Sequence, residues 1–307
     1  MTRLERRAHP PDPASELPEL SASERQDVAA LARAASVEMT WHDVDQLGSC
    51  QSLLAPGTAV FTSHLPGQTW QQTLETCVAI RSHGFEPVPH IPVRRLADAA
   101  AFERLVTGLV GGAKVARVLL IAGDSLESIG PFSATLDALR TGVLAAHGIR
   151  RIFVAGHPEG HPQLADDDLR RAERDKLGFA AANGMELTFL TQFFFDAAPF
   201  LAWARMLRSQ DVHARLVAGL AGPARLTTLF KYAVRCGVGP SIRALGARPA
   251  MFSKLTTERD PEPIVHSIVR ARSAGEVGEV GIHLFSFGGL AHTCGWLHAL
   301  ASAGTSE

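Results

Sequence analysis

An α/β fold, specifically a (β/α)8 TIM barrel with an extra N-terminal helix, is what this sequence predicts, and three observations predict it. Eight short apolar runs alternate with stretches of helical periodicity. Several of the runs empty at once into polar residues, so that polar groups gather just past the ends of buried strands, as they do in barrels of this class. The chain has 307 residues, 46% hydrophobic and 20% charged, which suits one large core.

Residues 1 to 18 hold Pro10, Pro11, Pro13 and Pro18 among charges and read as a flexible arm. Ser21 and Glu24 have capping-box spacing, and Val28, Leu31 and Ala35 recur at helical intervals, so a helix runs to about Ala35 and is placed at the bottom of the barrel. Strands follow near 36–40, 58–62, 87–91, 115–121, 151–155, 186–191, 214–218 and 280–285. Helices are expected over 69–82, 97–111, 132–146, 165–182, 198–208, 224–236, 262–273 and 289–302. Strands separated by helices imply parallel pairing with right-handed crossovers, and eight of them close a barrel. An open doubly wound sheet is the alternative topology. No linker or composition shift divides the interior, so 19–307 reads as a single catalytic domain.

The net charge of −1 provides no general attraction to nucleic acid or to an anionic membrane. The sequence has no long apolar span and no apolar signal core, so a cytoplasmic location is expected. Cys50, Cys77, Cys236 and Cys294 form no C-x-x-C pair and read as buried thiols. Gly219 to Pro223 and Gly237 to Pro240 are turns without the register of a phosphate-binding loop.

Candidate chemistry sits at strand ends. Glu38 interrupts an apolar first strand; burial there would raise its pKa toward that of a general acid, and an outward-facing glutamate is the alternative. Asp124 follows a glycine after the fourth strand, where a turn or cap aspartate is the alternative. His157, Glu159 and His161 alternate between prolines, a loop spacing unlike the helical pair of zinc proteases, and no metal is expected. His90 ends another strand. Gln192 offers both a donor and an acceptor, as recognition of an amide-bearing heterocycle requires, and Phe193, Phe194 and Phe195 follow it.

Taken in order, Ser-Val-Glu at 36–38, Pro-His at 89–90, Gly-Asp at 123–124, His-Pro-Glu-Gly-His-Pro at 157–162 and Thr-Gln-Phe-Phe-Phe-Asp at 191–196 resemble the methylenetetrahydrofolate reductase family. The resemblance spans about Ser36 to Phe287. It implies a barrel that binds FAD and reduces 5,10-methylenetetrahydrofolate to 5-methyltetrahydrofolate with hydride from NADH or NADPH, acting as a homo-oligomer. It further implies that Glu38 is the acid that protonates N10 and that Asp124 lies between flavin and folate, stabilising a cationic iminium. Gln192 would bind the pterin. Thr62, His90, Gly123, Asp124, Phe132, Ser133, His157, His161, Arg171 and Lys176 would fall at flavin-contacting positions.

The chain also departs from the family pattern. Ala122 stands where many members have arginine, His157 where a tyrosine is usual, and Phe287-Gly288-Gly289 where an Asn-Arg pair is expected to hold folate. These departures open a flavin-free alternative in which NADH gives its hydride directly to the folate. Physiological oxidation of 5-methyltetrahydrofolate, a non-catalytic folate- or flavin-binding partner subunit, and a metal hydrolase are the rival readings.

Overall fold

Eight parallel strands close on themselves in a computed structural model that describes residues 19–125, 127–161, 163–235 and 258–303. The strands are β1 (Ser36–Met39), β2 (Ala59–Thr62), β3 (Glu86–Pro92), β4 (Arg117–Ile121), β5 (Arg151–Gly156), β6 (Glu186–Phe194), β7 (Arg215–Ala221) and, after a short antiparallel pair β8 (Ala224–Arg225) and β9 (Glu258–Arg259), β10 (Val280–Phe285). Neighbours in sequence are neighbours in the barrel, and β10 closes it by pairing with both β7 and β1. The closed ring excludes the open sheet. The expected arm 1–18, Cys236 and the turn at Gly237–Pro240 lie outside the described residues.

Period-two alternation sorts each strand into two faces. Phe61, Val88, Leu119, Leu190 and Val217, with Ala59, Ile121 and Phe153, pack together inside the barrel. Val37, Met39, Val60, Val118, Leu120, Ile152, Val154, Ile282 and Leu284 belong to the larger core between barrel and helices. Strand β3 carries Pro87, Pro89 and Pro92, which cannot donate to a ladder. Its first four residues register on β2 and its last three on β4, so β3 does not need two complete ladders.

The helices are α1 (Ala22–Arg33), α2 (Leu47–Cys50), α3 (Trp70–Ser82), α4 (Ala99–Ala113), α5 (Thr135–Arg140), α6 (Val143–Ala146), α7 (Asp166–Ala182), α8 (Ala197–Ser209), α9 (Leu226–Arg235), α10 (Glu262–Ser273) and α11 (Leu290–Ala303). Helix α1 has the capping box read from Ser21 and Glu24. It docks on the last two helices: Glu24 pairs with Arg270 of α10 at 3.4 Å, and Arg33 Nη1 donates to the Ala301 carbonyl of α11 at 2.9 Å. The single helix expected over 132–146 is two short ones, because the chain turns through Gly142 at φ +73°. The helix expected from 224 begins two residues later, since Ala224 and Arg225 pair with Arg259 and Glu258. Among the described residues no helix is long and apolar enough to cross a membrane.

Candidate active site

Strand β1 is short, and alternation sends Val37 and Met39 into the helix layer while Ser36 and Glu38 face inward. The Glu38 carboxylate is met from three other strands. The Ser63 hydroxyl, one residue past β2, donates to Oε1. His283 of β10 brings Nε2 to 3.4 Å from Oε2, and His90 of β3 brings its own Nε2 to 3.4 Å from the same oxygen. The His283 contact is aligned as a hydrogen bond; the His90 nitrogen is close enough for charge interaction but has no aligned partner. On its other side His283 Nδ1 lies 2.9 Å from Ser36 Oγ. Phe61 forms an apolar wall, its ring centroid 4.6 Å from that of His283 and 6.0 Å from that of His90.

This environment reverses the expected sign of the Glu38 shift. Burial does push the carboxyl pKa up, as the sequence suggested, but the charge of His90, the hydrogen bond and charge of His283 and the Ser63 hydroxyl together outweigh it. Glu38 is therefore held below the usual glutamate value. His90 is pushed down by burial, with Glu38 opposing and His283 adding to the depression.

A second group sits just past β5. His157 and His161 lie with ring centroids 5.4 Å apart, and Arg170 of α7 donates to the His157 carbonyl at 3.0 Å. Arg170 also pairs with the buried Glu173 at 2.5 Å. Burial first, then the charges of His161, Lys176 and Arg170, pull His157 down to about 4, so it is a neutral imidazole near neutrality. Burial also lowers Lys176, against the opposing pull of Glu173, and burial raises Glu173. Gly156 permits this packing: a Cβ there would stand 2.7 Å from the Trp203 ring.

The remaining predicted residues separate into two sets. Gly123 takes φ +98° with Pro92 Cβ 3.0 Å from where its own Cβ would be, and it leads into Asp124, exposed after β4. Gln192 is exposed where the β6–β7 register shifts between Leu190 and Phe193, and its Oε1 accepts from the Phe193 amide at 3.1 Å. The other positions are committed elsewhere. The Thr62 side chain is fully buried on the helix-facing side, its hydroxyl oxygen without a partner. Phe132 is buried edge-to-face against Phe102 of α4, with centroids 6.3 Å apart. The Ser133 hydroxyl donates to Asp137 at 3.0 Å. Arg171 points outward from α7, its side chain 69% exposed beside Asp168. Among the described residues no cluster of three or more histidine, cysteine, aspartate or glutamate side chains is placed to hold a metal.

Sequence reasoning gave no role to His283, Ser36 or Ser63. The signal for His283 was available: it interrupts the apolar run Val280–Phe285 just as Glu38 interrupts β1. A wall of aromatic rings was also missed. Phe287 stacks on Tyr232 at 4.2 Å and meets Phe193 edge-to-face at 4.7 Å, with Phe285 beside them. The glycine beside this wall is required, because a Cβ at Gly288 would fall 2.1 Å from the Pro223 carbonyl oxygen. No arginine fits at Gly288 unless that backbone moves.

No family model matches the chain. An uncharacterized protein from Clostridium thermocellum that binds two copies of 5-methyl-5,6,7,8-tetrahydrofolic acid superposes with a TM-score of 0.58 at 11% sequence identity, covering 90% of this chain and 97% of that one. The likeness is one of fold. Dihydropteroate synthase from Thermus thermophilus superposes with a TM-score of 0.46 at 14% identity, over 87% of this chain and 93% of that one. The (β/α)8 architecture stands on the strand order and on the first of these superpositions; the chemistry rests on the chain's own residues.

Proposed function

We propose that this chain reduces 5,10-methylenetetrahydrofolate to 5-methyltetrahydrofolate with hydride from NADH or NADPH. The observation that carries the reading is Glu38, a carboxylate inside the barrel contacted by Ser63, His90 and His283. The reaction needs a proton at N10 as the five-membered ring opens and a hydride at the iminium carbon that results. A carboxyl held among imidazoles can deliver that proton. Asp124 places negative charge at the mouth, where it would stabilise the iminium, and Gln192 is the pterin anchor in this reading. The binding of a reduced folate by the Clostridium thermocellum protein of the same fold supports the substrate class.

In this reading Gly123, Asp124, His157 and His161, on the β4–β5 side, would hold FAD, with Lys176 available to a phosphate. Held there, FAD would supply the hydride relay between nicotinamide and folate. Phe132 and Ser133 are committed elsewhere and Arg171 faces solvent, and this favours a second reading in which nicotinamide donates to the folate directly.

Anaerobic mixing of the purified protein with NADH and methylenetetrahydrofolate tests the proposal by visible absorbance and product chromatography. One 5-methyltetrahydrofolate per NADH oxidised is expected. Yellow protein bleached by NADH and restored by the folate assigns FAD; colourless protein that still turns over assigns direct transfer. NADH oxidation that does not depend on the folate contradicts the reading.

A further inference from the structure

The imidazole of His283 is gripped at both nitrogens by one strand. Ser36 and Glu38 are two residues apart on β1 and face the same way, and Ser36 registers directly opposite His283. A carboxylate only accepts hydrogen bonds, so in the neutral ring Nε2–H faces Glu38 and Nδ1 accepts from the Ser36 hydroxyl. With its side chain fully buried and Phe61 and Phe285 packed on it, at centroid distances of 4.6 and 4.9 Å, the ring cannot turn without losing both contacts. His90 faces the same carboxylate oxygen without such a clamp.

We propose that His283, locked by Ser36, is the positioning residue for Glu38, and that Glu38, His90 and His283 hold one proton between them as a single unit that hands it to the substrate through Glu38. The inference deepens the reductase reading and rests on it for the identity of the substrate. Both imidazole Nε2 atoms stand 3.4 Å from the same Glu38 oxygen, so a proton held on any one of the three groups is felt by the other two and the three titrate as a set. In the step itself the proton passes from the unit through Glu38 to N10, and the N10–H bond forms. The carbon–N10 bond breaks with its electron pair going to N10. NADH or NADPH supplies hydride to the carbon, and solvent returns a proton to the unit after product leaves. Ser63 after β2 faces the unit directly, and His64 in the following loop feels the charges of Arg95 and of His90.

Four variants and the nitrogen spectra of the imidazoles test this. His283→Gln keeps a donor toward Glu38 but cannot carry charge; turnover is expected to fall about 10²-fold with KM little changed, as for a misplaced catalytic group. Ser36→Ala leaves the buried ring in place and is expected to move the acid limb of the rate–pH profile by about one unit, the size of one hydrogen bond to a charged group, with Ser36→Thr restoring it. Wild-type turnover and pH profile in both His283→Gln and Ser36→Ala would overturn the proposal. Nitrogen NMR of the imidazoles needs no substrate and so separates this inference from the reductase reading. If His90 and His283 both change their titration in Glu38→Gln, the unit exists whatever the substrate; if neither changes, the unit does not exist even in an active reductase.

Discussion

Two groups of histidines serve this barrel, and they differ in what holds them. His90 and His283 lie within strands, buried against Phe61 and turned onto one carboxylate. His157 and His161 lie in the loop past β5, half-buried, with Lys176 and Arg170 of α7 acting on His157 and Arg94 on His161. Burial lowers both His90 and His157, but the carboxylate of Glu38 opposes that fall at His90 whereas the cations of α7 deepen it at His157. The first arrangement suits proton transfer, and the second suits holding a ligand.

The sharpest way to break this contrast is to neutralise each side. Glu38→Gln should cut folate reduction by roughly 10²- to 10⁴-fold, the usual contribution of a general acid, while the Kd for folate stays within a few-fold by titration calorimetry. Loss of binding instead of rate would put both groups in the same role. Lys176→Met should do the reverse: about tenfold weaker binding of a phosphate-bearing cofactor, with the rate at saturation nearly unchanged.

Part of this was legible in the sequence. Eight apolar runs of strand length with helical intervals made a parallel α/β fold legible, because buried parallel strands read as near-continuous apolar runs, while closure into a barrel rather than an open sheet depends on β10 pairing with β1. Glu38 stood out for interrupting such a run. Its electrostatics did not, because the opposing imidazoles come from β3 and β10, and the latter is 245 residues away in the chain. Gly288 marks a close backbone approach that local pattern cannot show. Arg171 and Lys176 could have been separated beforehand: five residues on a helix is a rotation of about 140°, so the two cannot share one face. The structure gives Lys176 to His157 and Arg171 to solvent.

Acid pH should act on the loop group. His157 has its folded pKa at about 4, down from 6.5, so the unfolded chain binds the proton more readily than the folded one. The stability linked to His157 is fully present above 6.5 and is lost as pH falls toward about 4. Urea midpoints across that window should decline in the wild type and decline less in His157→Gln. Equal slopes would mean that His157 is already solvated. The smallest effect belongs to Arg171→Ala, expected within about 0.5 kcal/mol in stability and without change in cofactor binding, as for an exposed side chain.

The measurement that tests the central claim most directly is mass spectrometry of the folate after reaction with NADH deuterated at its transferable position, for wild type and Glu38→Gln side by side. The account predicts 5-methyltetrahydrofolate from the wild type and almost none from the variant, with the label retained in the methyl group if hydride passes directly and diluted by solvent hydrogen if a flavin relays it. Absence of the methyl product from the wild type, or equal amounts from both proteins, would contradict it.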